Sequence, residues 1–279
     1  MTLIHCRLIC VSLAASFLLT LSSCGTVYQA HHDMSLNLLE KGDIKATGSI
    51  NKVNKVSEQP FFTGLVAYSP IKHLGVLAKH FNYKAFRSGN FNPSSEDQDN
   101  AEGSFTELAI GGYYGLKFKN KNNEIYEDLK FMMPIRLTGD LYLGASRGNL
   151  NFRYGRANEQ LNFNRMFAHF GLHFQAKILK ISYAFKLISL DYHKIVLNGN
   201  IPYASYLDVQ QLIVNEPLIY NSSSLRMEFG MRHAQFYIDI NFSNLPDYMN
   251  TLYFEEKLAS VGVTFDINEF WKKNTIPKK

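Results

Sequence analysis

Histidine and lysine side chains, which often bind metals or transfer protons, interrupt an otherwise apolar stretch from Met166 to Leu190. His169 and His173 lie four positions apart in this stretch. In a β-strand, that spacing puts both side chains on one face but roughly 13 Å from each other. A zinc ion needs three or four convergent ligands, so one ion does not bridge these histidines without ligands from other strands. We therefore expect no metal site and no cofactor.

Lipid hydrolysis is the second chemistry that these residues suggest, because it can combine a serine, a histidine and an acidic residue. The candidates are His169 or His173 together with Glu107 or Ser182. No nucleophile motif supports them, so we predict no catalytic residue and no enzyme activity. An enzyme that acts on envelope lipids remains an alternative prediction.

The element that positions these side chains is predicted to be a β-hairpin. Polar and small residues alternate with apolar ones from Arg165 to Gln175, and again after a tight turn near 176–178. A period of two is typical of half-buried strands. Ten segments show this pattern, at about 43–52, 60–69, 73–85, 104–118, 131–147, 160–175, 178–190, 223–233, 235–243 and 257–267.

The connections between these segments alternate in length. The tight turns lie near residues 69–72, 176–177 and 232–234, and the long polar loops near 86–103, 191–222 and 243–256. Short turns on one rim, long loops on the other and an even number of strands are typical of bacterial outer-membrane barrels. The connection at 119–130 departs from this rule, because it is long but belongs to the short-turn rim.

The polar face of the strands is rich in glycine, serine, alanine and tyrosine, with scattered opposite charges, which suits a crowded interior. Strands of about 9–11 residues match a tilted crossing of the hydrocarbon layer, and closure satisfies every backbone group, as lipid requires. We therefore predict an all-β fold, an antiparallel up-and-down transmembrane β-barrel of about ten strands, with a structural, binding or small-solute role. The alternative is a soluble, lipid-anchored periplasmic β-rich protein that binds a ligand.

Inward-facing charges are expected to pair, because a charge removed from bulk water needs a partner. A ten-stranded barrel is narrow, and we expect such side chains to fill it. The predicted interior polar network consists of Glu107, Arg136, Asp140, Arg165, His169, His173, Lys180, Lys186, Arg226, Glu228, Arg232 and Asp239.

The loop at 191–222 is long and rich in tyrosine, and long loops without structure of their own are often functional. We predict that it lies outside the cell. It forms either a contact surface or a lid that folds over the barrel mouth. The predicted contact residues are Tyr203, Tyr206, Leu212, Ile213 and Tyr220.

The first 23 residues are predicted to be a secretory signal, because Arg7 precedes an apolar run from Leu8 to Thr20. Leu21-Ser22-Ser23-Cys24 follows the run and resembles the lipobox of bacterial lipoproteins. That resemblance implies lipidation at Cys24; the alternative is an ordinary signal peptide with a chance cysteine. Cys24 is the one cysteine left after cleavage, so no disulfide framework is expected.

We divide the chain into a signal peptide at 1–23, a lipidated tether at 24–42, the barrel at 43–268 and a basic tail at 269–279. Cleavage removes Arg7 and no acid, which leaves 28 basic and 24 acidic residues and a charge of +4. Part of this mild charge lies in the tail, so nucleic-acid binding is not indicated.

The chain also resembles a family of outer-membrane β-barrel lipoproteins of Bacteroidetes-type bacteria. The shared segments are 38–43 (LLEKGD), 67–76 (AYSPIKHLGV), 107–114 (ELAIGGYY) and 215–217 (NEP). The resemblance implies the fold and an outer-membrane location, with membrane lipids and the barrel assembly machinery as partners. It supplies no activity, catalytic residue, external ligand or protein partner. The residues after Cys24 are not acidic, so we expect the lipid in the inner leaflet and both termini in the periplasm.

Overall fold

Ten antiparallel strands form a closed barrel in a computed structural model that describes residues 28–29, 38–52, 61–87, 99–118, 135–154, 157–176, 179–198, 217–231, 233–244, 254–255 and 257–268. The strands are β1 (Ile44–Lys52), β2 (Phe61–Ile71), β3 (Leu74–Arg87), β4 (Asp99–Phe118), β5 (Ile135–Tyr154), β6 (Ala157–Gln175), β7 (Leu179–Asn198), β8 (Leu218–Met231), β9 (Ala234–Asn244) and β10 (Lys257–Asp266). Each strand pairs with its neighbour in sequence, and β10 pairs with β1 to close the sheet. Tyr28–Gln29 and Phe254–Glu255 form a separate two-stranded sheet.

The predicted fold class is confirmed, since each of the ten predicted segments overlaps one barrel strand. The main difference is length, because β4 to β8 extend beyond their predicted ends on the long-loop side. The predicted loop at 191–222 is therefore too long: β7 continues to Asn198 and β8 begins at Leu218. On the same rim, β5 ends at Tyr154 and β6 begins at Ala157, much closer in sequence than the long loops that the pattern predicts there.

Strand tilt follows from the register of the barrel. The hydrogen-bonded register, followed once around from Leu116 on β4, returns to the same strand at Ser104, a shear of 116 − 104 = 12 residues. With about 4.7 Å between strands and about 3.3 Å of rise per residue, this shear gives a tilt of about 40° and a backbone radius of about 10 Å. The tilt is typical of outer-membrane barrels.

The outward face of the barrel carries an apolar belt. Leu143, Met166 and Phe236 point outward and are 62%, 69% and 70% exposed. On β6 the belt runs from Met166 to Phe174, about 26 Å along the strand and about 20 Å along the barrel axis at the inferred tilt. That height approaches the band of about 25 Å that lipid-facing barrels present. Among the described residues, no helix is long and apolar enough to cross a bilayer.

The belt ends at a row of polar side chains on the long-loop side. Five outward residues on adjacent strands pair in register and are exposed: His80, Thr106, Arg147, Asn164 and Asp191. On each of these strands the polar side chain marks where the outer surface leaves the hydrocarbon, because burying it there would cost free energy. Strands β4 to β7 therefore continue past the belt.

Next to the same row, the inward face changes from polar to apolar. Phe81, Phe105 and Phe163 are buried inside, and the rings of Phe81 and Phe105 lie 4.9 Å apart. Gly148 sits between two of these rings, and a Cβ added there would lie 2.6 Å from the Cβ of Phe105. The strands thus carry a polar interior within the belt and an apolar interior beyond it.

A matched pair of substitutions on β6 tests the placement of the belt. Arginine in place of Phe170, an outward residue near the middle of the belt, should lower the free energy of unfolding by about 2–4 kcal/mol in lipid vesicles. Asn164→Arg changes an outward residue of the polar row and should cost at most about 1 kcal/mol. Urea unfolding in vesicles measures both values, and equal costs would show that the belt does not face lipid.

Candidate functional site

Glu107 on β4 is the centre of the first charged cluster in the barrel interior. Its carboxylate accepts hydrogen bonds from the guanidinium of Arg165 on β6 and from Nζ of Lys186 on β7, the latter at 2.8 and 3.0 Å. Arg165 also donates through Nε to Ser146 Oγ at 2.9 Å. Because the carboxylate binds partners two and three strands away, these side chains reach across the lumen rather than along its wall.

Aromatic rings surround the cations of this cluster. Nζ of Lys186 lies 3.7 Å from the ring centroid of Phe167, and the guanidinium carbon of Arg165 lies 4.6 Å from that of Phe105. A cation over a ring face gains attraction when both are removed from water. The inward phenylalanines therefore stabilise the buried cations that share the single negative charge of Glu107.

The second cluster joins an acid, two histidines and a serine. Asp140 on β5 lies 2.8 Å from Nε2 of His173 and 3.5 Å from Nε2 of His169. Nδ1 of His173 lies 2.9 Å from Oγ of Ser182 on β7. The histidines reach Asp140 through its two different carboxylate oxygens, so one acidic residue connects both to a single cluster.

Asp140, His173 and Ser182 share the connectivity of a hydrolase triad, in which histidine lies between an acid and a serine. All three side chains are buried, and Ser182 is 1% exposed. A nucleophile must reach the carbonyl that it attacks, and this hydroxyl faces other side chains of the interior. The geometry therefore supports a structural hydrogen-bonded relay across β5, β6 and β7.

The third cluster lies on the adjoining strands β7, β8 and β9 and consists of two ion pairs. Lys180 on β7 contacts Glu228 on β8 at 2.6 Å, and Arg226 on β8 contacts Asp239 on β9 at 3.0 Å. The guanidinium of Arg226 also lies 4.1 Å from the ring centroid of Tyr237. Each ion pair joins register partners on adjacent strands, so these pairs also fix the alignment of the wall.

Apolar side chains lie at both ends of the charged interior. Leu161 and Tyr192 are buried near the long-loop end, beside the aromatic rings described above. At the other end, Leu38 precedes β1 and inserts against Leu65, Ala67 and Tyr113. Leu38 thus covers part of the short-turn mouth.

Ten of the twelve residues of the predicted network form the three clusters. Arg136 lies half-buried near the short-turn end, and the side chain of Arg232 falls outside the described residues. Sequence reasoning missed Leu38, which precedes the first alternating segment. Phe105 and Phe167, the aromatic partners of the cations, do carry a sequence signal, because alternation puts them on the inward face.

The remaining predicted site residues are Cys24 and five residues of the 191–222 segment. Cys24, Tyr203, Tyr206, Leu212 and Ile213 fall outside the described residues. The prediction for Tyr220 is wrong: it lies in β8 and its side chain is buried. The reason is that the strand faces reverse beyond the belt. Tyr220 points inward there, between outward Ile219 and Asn221, so the segment lacks the polar inward face that predicts a membrane strand.

Two features of the interior bear on what it could bind: the balance of its buried charges and the placement of its possible metal ligands. Among the residues whose side chains the structure describes, the buried charged ones are Lys45, Lys79, Arg165, Lys180, Lys186 and Arg226 against Glu107, Asp140, Glu228 and Asp239. The half-buried Asp266 lies 3.8 Å from Lys45 and supplies a fifth carboxylate. Within the described ranges, no group of three or more histidine, cysteine, aspartate or glutamate residues is placed to hold a metal ion.

A closed ten-stranded sheet with an apolar belt outside and paired ions inside defines the class of this protein, a transmembrane β-barrel. No family model matches the chain, and no curated protein matches it.

Three solved structures of outer-membrane proteins resemble the chain distantly. The outer membrane protease OmpT from Escherichia coli is 10% identical, with a TM-score of 0.38 over 81% of this chain and 94% of that chain. CarO from Acinetobacter baumannii is 10% identical, with a TM-score of 0.24 over 83% and 100%. A bacterial polysaccharide outer membrane secretin is 9% identical, with a TM-score of 0.21 over 82% and 99%. At these scores the class rests on the barrel's own geometry.

Neutralising Glu107 tests the importance of the charged interior. Glu107→Gln removes the negative charge that Arg165 and Lys186 share, and we expect a loss of about 3–5 kcal/mol in the free energy of unfolding. The control is Glu40→Gln, whose ion pair with Lys117 is 45–58% exposed and should be worth at most about 1 kcal/mol. Denaturant unfolding in detergent or vesicles compares the two variants; similar small losses would contradict the network's role.

Proposed function

We propose that this protein is an outer-membrane β-barrel with a structural or binding role, and that its lumen is not an open diffusion path. The observation that carries this proposal is the filled interior. Arg165, Tyr142 and Arg226 lie at different positions inside the barrel and are at most 1% exposed. Side chains that lined a water-filled channel would be accessible to water, so a small-solute route through the described interior would require the ion pairs to separate.

The parts that project beyond the belt are the proposed binding surface. On the long-loop side, β4 to β7 present polar outward residues such as Arg147 and Asn164 above an apolar core. A rigid sheet of this kind positions loops, and binding residues are often found on loops that a rigid scaffold holds. The predicted contact residues Tyr203, Tyr206, Leu212 and Ile213 belong to the connection that follows β7 on this rim.

Export and anchoring complete the proposal. The signal segment and the lipobox-like Leu21-Ser22-Ser23-Cys24 support lipidation at Cys24, with both termini in the periplasm. The first and last barrel strands begin and end on the short-turn rim, which agrees with that orientation. Membrane lipids and the barrel assembly machinery are the proposed partners, as the resemblance to the Bacteroidetes-type lipoprotein family implies.

Two other functions receive less support. A soluble periplasmic protein would expose its charged side chains, whereas this barrel exposes Leu143, Met166 and Phe236 in a continuous belt. A lipid-acting enzyme is favoured by one observation, the hydrogen bonds that join Asp140, His173 and Ser182. Their burial argues against turnover, because no substrate reaches Ser182 without rearrangement of the barrel interior.

Conductance measurements test the closed lumen. The protein reconstituted into a planar bilayer should show no stable single-channel steps, because ion pairs and aromatic rings occupy the interior. Protease protection of the same sample checks orientation and insertion, so that an absence of conductance steps is not the result of failed insertion. Reproducible steps from inserted protein would contradict the proposal and restore the small-solute role.

Replacement of Ser182 tests the enzyme alternative. Ser182→Ala removes the hydroxyl that lies beside His173 and should lower the free energy of unfolding by about 1–2 kcal/mol. The lipid composition of the host envelope, measured by mass spectrometry, should be the same for wild type, Ser182→Ala and His173→Ala. A lipid species that accumulates in both variants would instead establish a hydrolytic function.

A further inference from the structure

A cavity of about 640 Å³ opens at the short-turn rim, where the segment before β1, the β2–β3 turn and the end of β4 meet. Three lysines line it, Lys41, Lys72 and Lys117, together with one acid, Glu40. The three positive charges and one negative charge leave an excess of +2. Within the described residues, Lys117 contacts Glu40 at 3.0 Å, so Lys41 and Lys72 supply the excess charge.

The walls of this cavity are held in place by hydrogen bonds. The backbone N–H groups of Leu39 and Glu40 donate to the Asp43 carboxylate at 2.7 and 2.9 Å. Gly42 N–H donates to the carbonyl of Ser69 at 2.7 Å. These bonds fix the segment that carries Lys41 against β2, so the lysine approaches the turn without a large loss of backbone entropy on binding.

The β2–β3 turn is equally constrained. His73 has a positive φ of 68°, and its Nδ1 lies 3.0 Å from the carbonyl oxygen of Tyr113. Because a carbonyl oxygen accepts hydrogen bonds and donates none, Nδ1 carries the proton. The imidazole also stacks on Tyr114, with 5.4 Å between ring centroids. The turn therefore holds Lys72 next to a rigid aromatic pair.

The cavity also lies at the edge of the apolar belt. Tyr114 is a lining residue whose ring points outward and is 64% exposed, and Leu116, the next outward residue of β4, is 49% exposed. Tyrosine is enriched at the boundary between lipid and water, where one end of its ring is wet and the other apolar. A ligand in the cavity thus meets lysine ammonium groups on one side and a lipid-facing surface on the other.

We propose that this cavity binds the phosphate-bearing headgroup of a membrane phospholipid, with its acyl chains along Tyr114 and Leu116. Lysine binds phosphate through charge-assisted hydrogen bonds, and the +2 excess suits one anionic headgroup. The site lies on the rim that carries the chain termini, which is the periplasmic rim if the proposed orientation is correct. The headgroup would then belong to the inner leaflet of the outer membrane.

Native mass spectrometry of the full chain in detergent tests the proposal with two matched probes. Phosphatidylglycerol carries the phosphate, and diacylglycerol with the same acyl chains lacks it. We expect phosphatidylglycerol to bind at least about ten-fold more tightly, because each lysine near an anionic lipid surface is worth about five-fold in affinity and the site has two. Lys41→Gln/Lys72→Gln should remove that difference. Arg147→Gln, which removes an exposed cation at the other edge of the belt, should bind like wild type.

Each other outcome overturns the proposal. Equal binding of the two lipids would reduce the site to an apolar surface, and unchanged binding by the double lysine variant would place the lipid elsewhere. Displacement of phosphatidylglycerol by millimolar inorganic phosphate would indicate a site for the free anion. Circular dichroism of each variant confirms that the barrel is folded. An open or closed lumen leaves this test unaffected, so its failure is distinct from failure of the proposed function.

Discussion

Pairing of β10 with β1 is the interaction on which the rest of this structure depends. Lipid offers no hydrogen-bond partner, so every backbone group within the bilayer must find one in the sheet itself. Val263 pairs with Gly48 across that junction, at the level of the apolar belt. Once the sheet closes, each strand has one face toward lipid and one face toward a lumen about 10 Å in backbone radius.

Closure determines what the interior must contain. A lumen of this size holds side chains and little else, and charged side chains there are removed from bulk water. The barrel offsets the free-energy cost of removing these charges from water by pairing opposite charges. Glu107, for example, accepts hydrogen bonds from both Arg165 and Lys186. These contacts join strands that are not neighbours, so they add stability that backbone pairing alone does not supply. The same contacts close the lumen, which links stability to the proposed non-conducting role.

Period-two alternation predicted the strands, because lipid imposes an apolar outward face on every crossing strand. The alternating loop lengths and the small residues of the polar face were also needed to predict a barrel. The interior contacts needed more than alternation. Lys180 and Glu228 both fall on inward faces, but their pairing depends on the register of β7 against β8, and that of Glu107 with Lys186 depends on the shear. Tyr220 was misplaced because the rule of polar inside and apolar outside holds only within the belt. Leu38 precedes the first strand and has no periodic signal.

The central claim is a closed, lipid-embedded barrel, and gel migration of the outer-membrane fraction tests it most directly. Samples kept cold in sodium dodecyl sulfate and samples that have been boiled are compared on one gel. A closed barrel held by continuous strand pairing should resist the detergent and migrate faster before boiling than after it. A single band at the same position in both samples, from protein shown to be folded, would contradict the account.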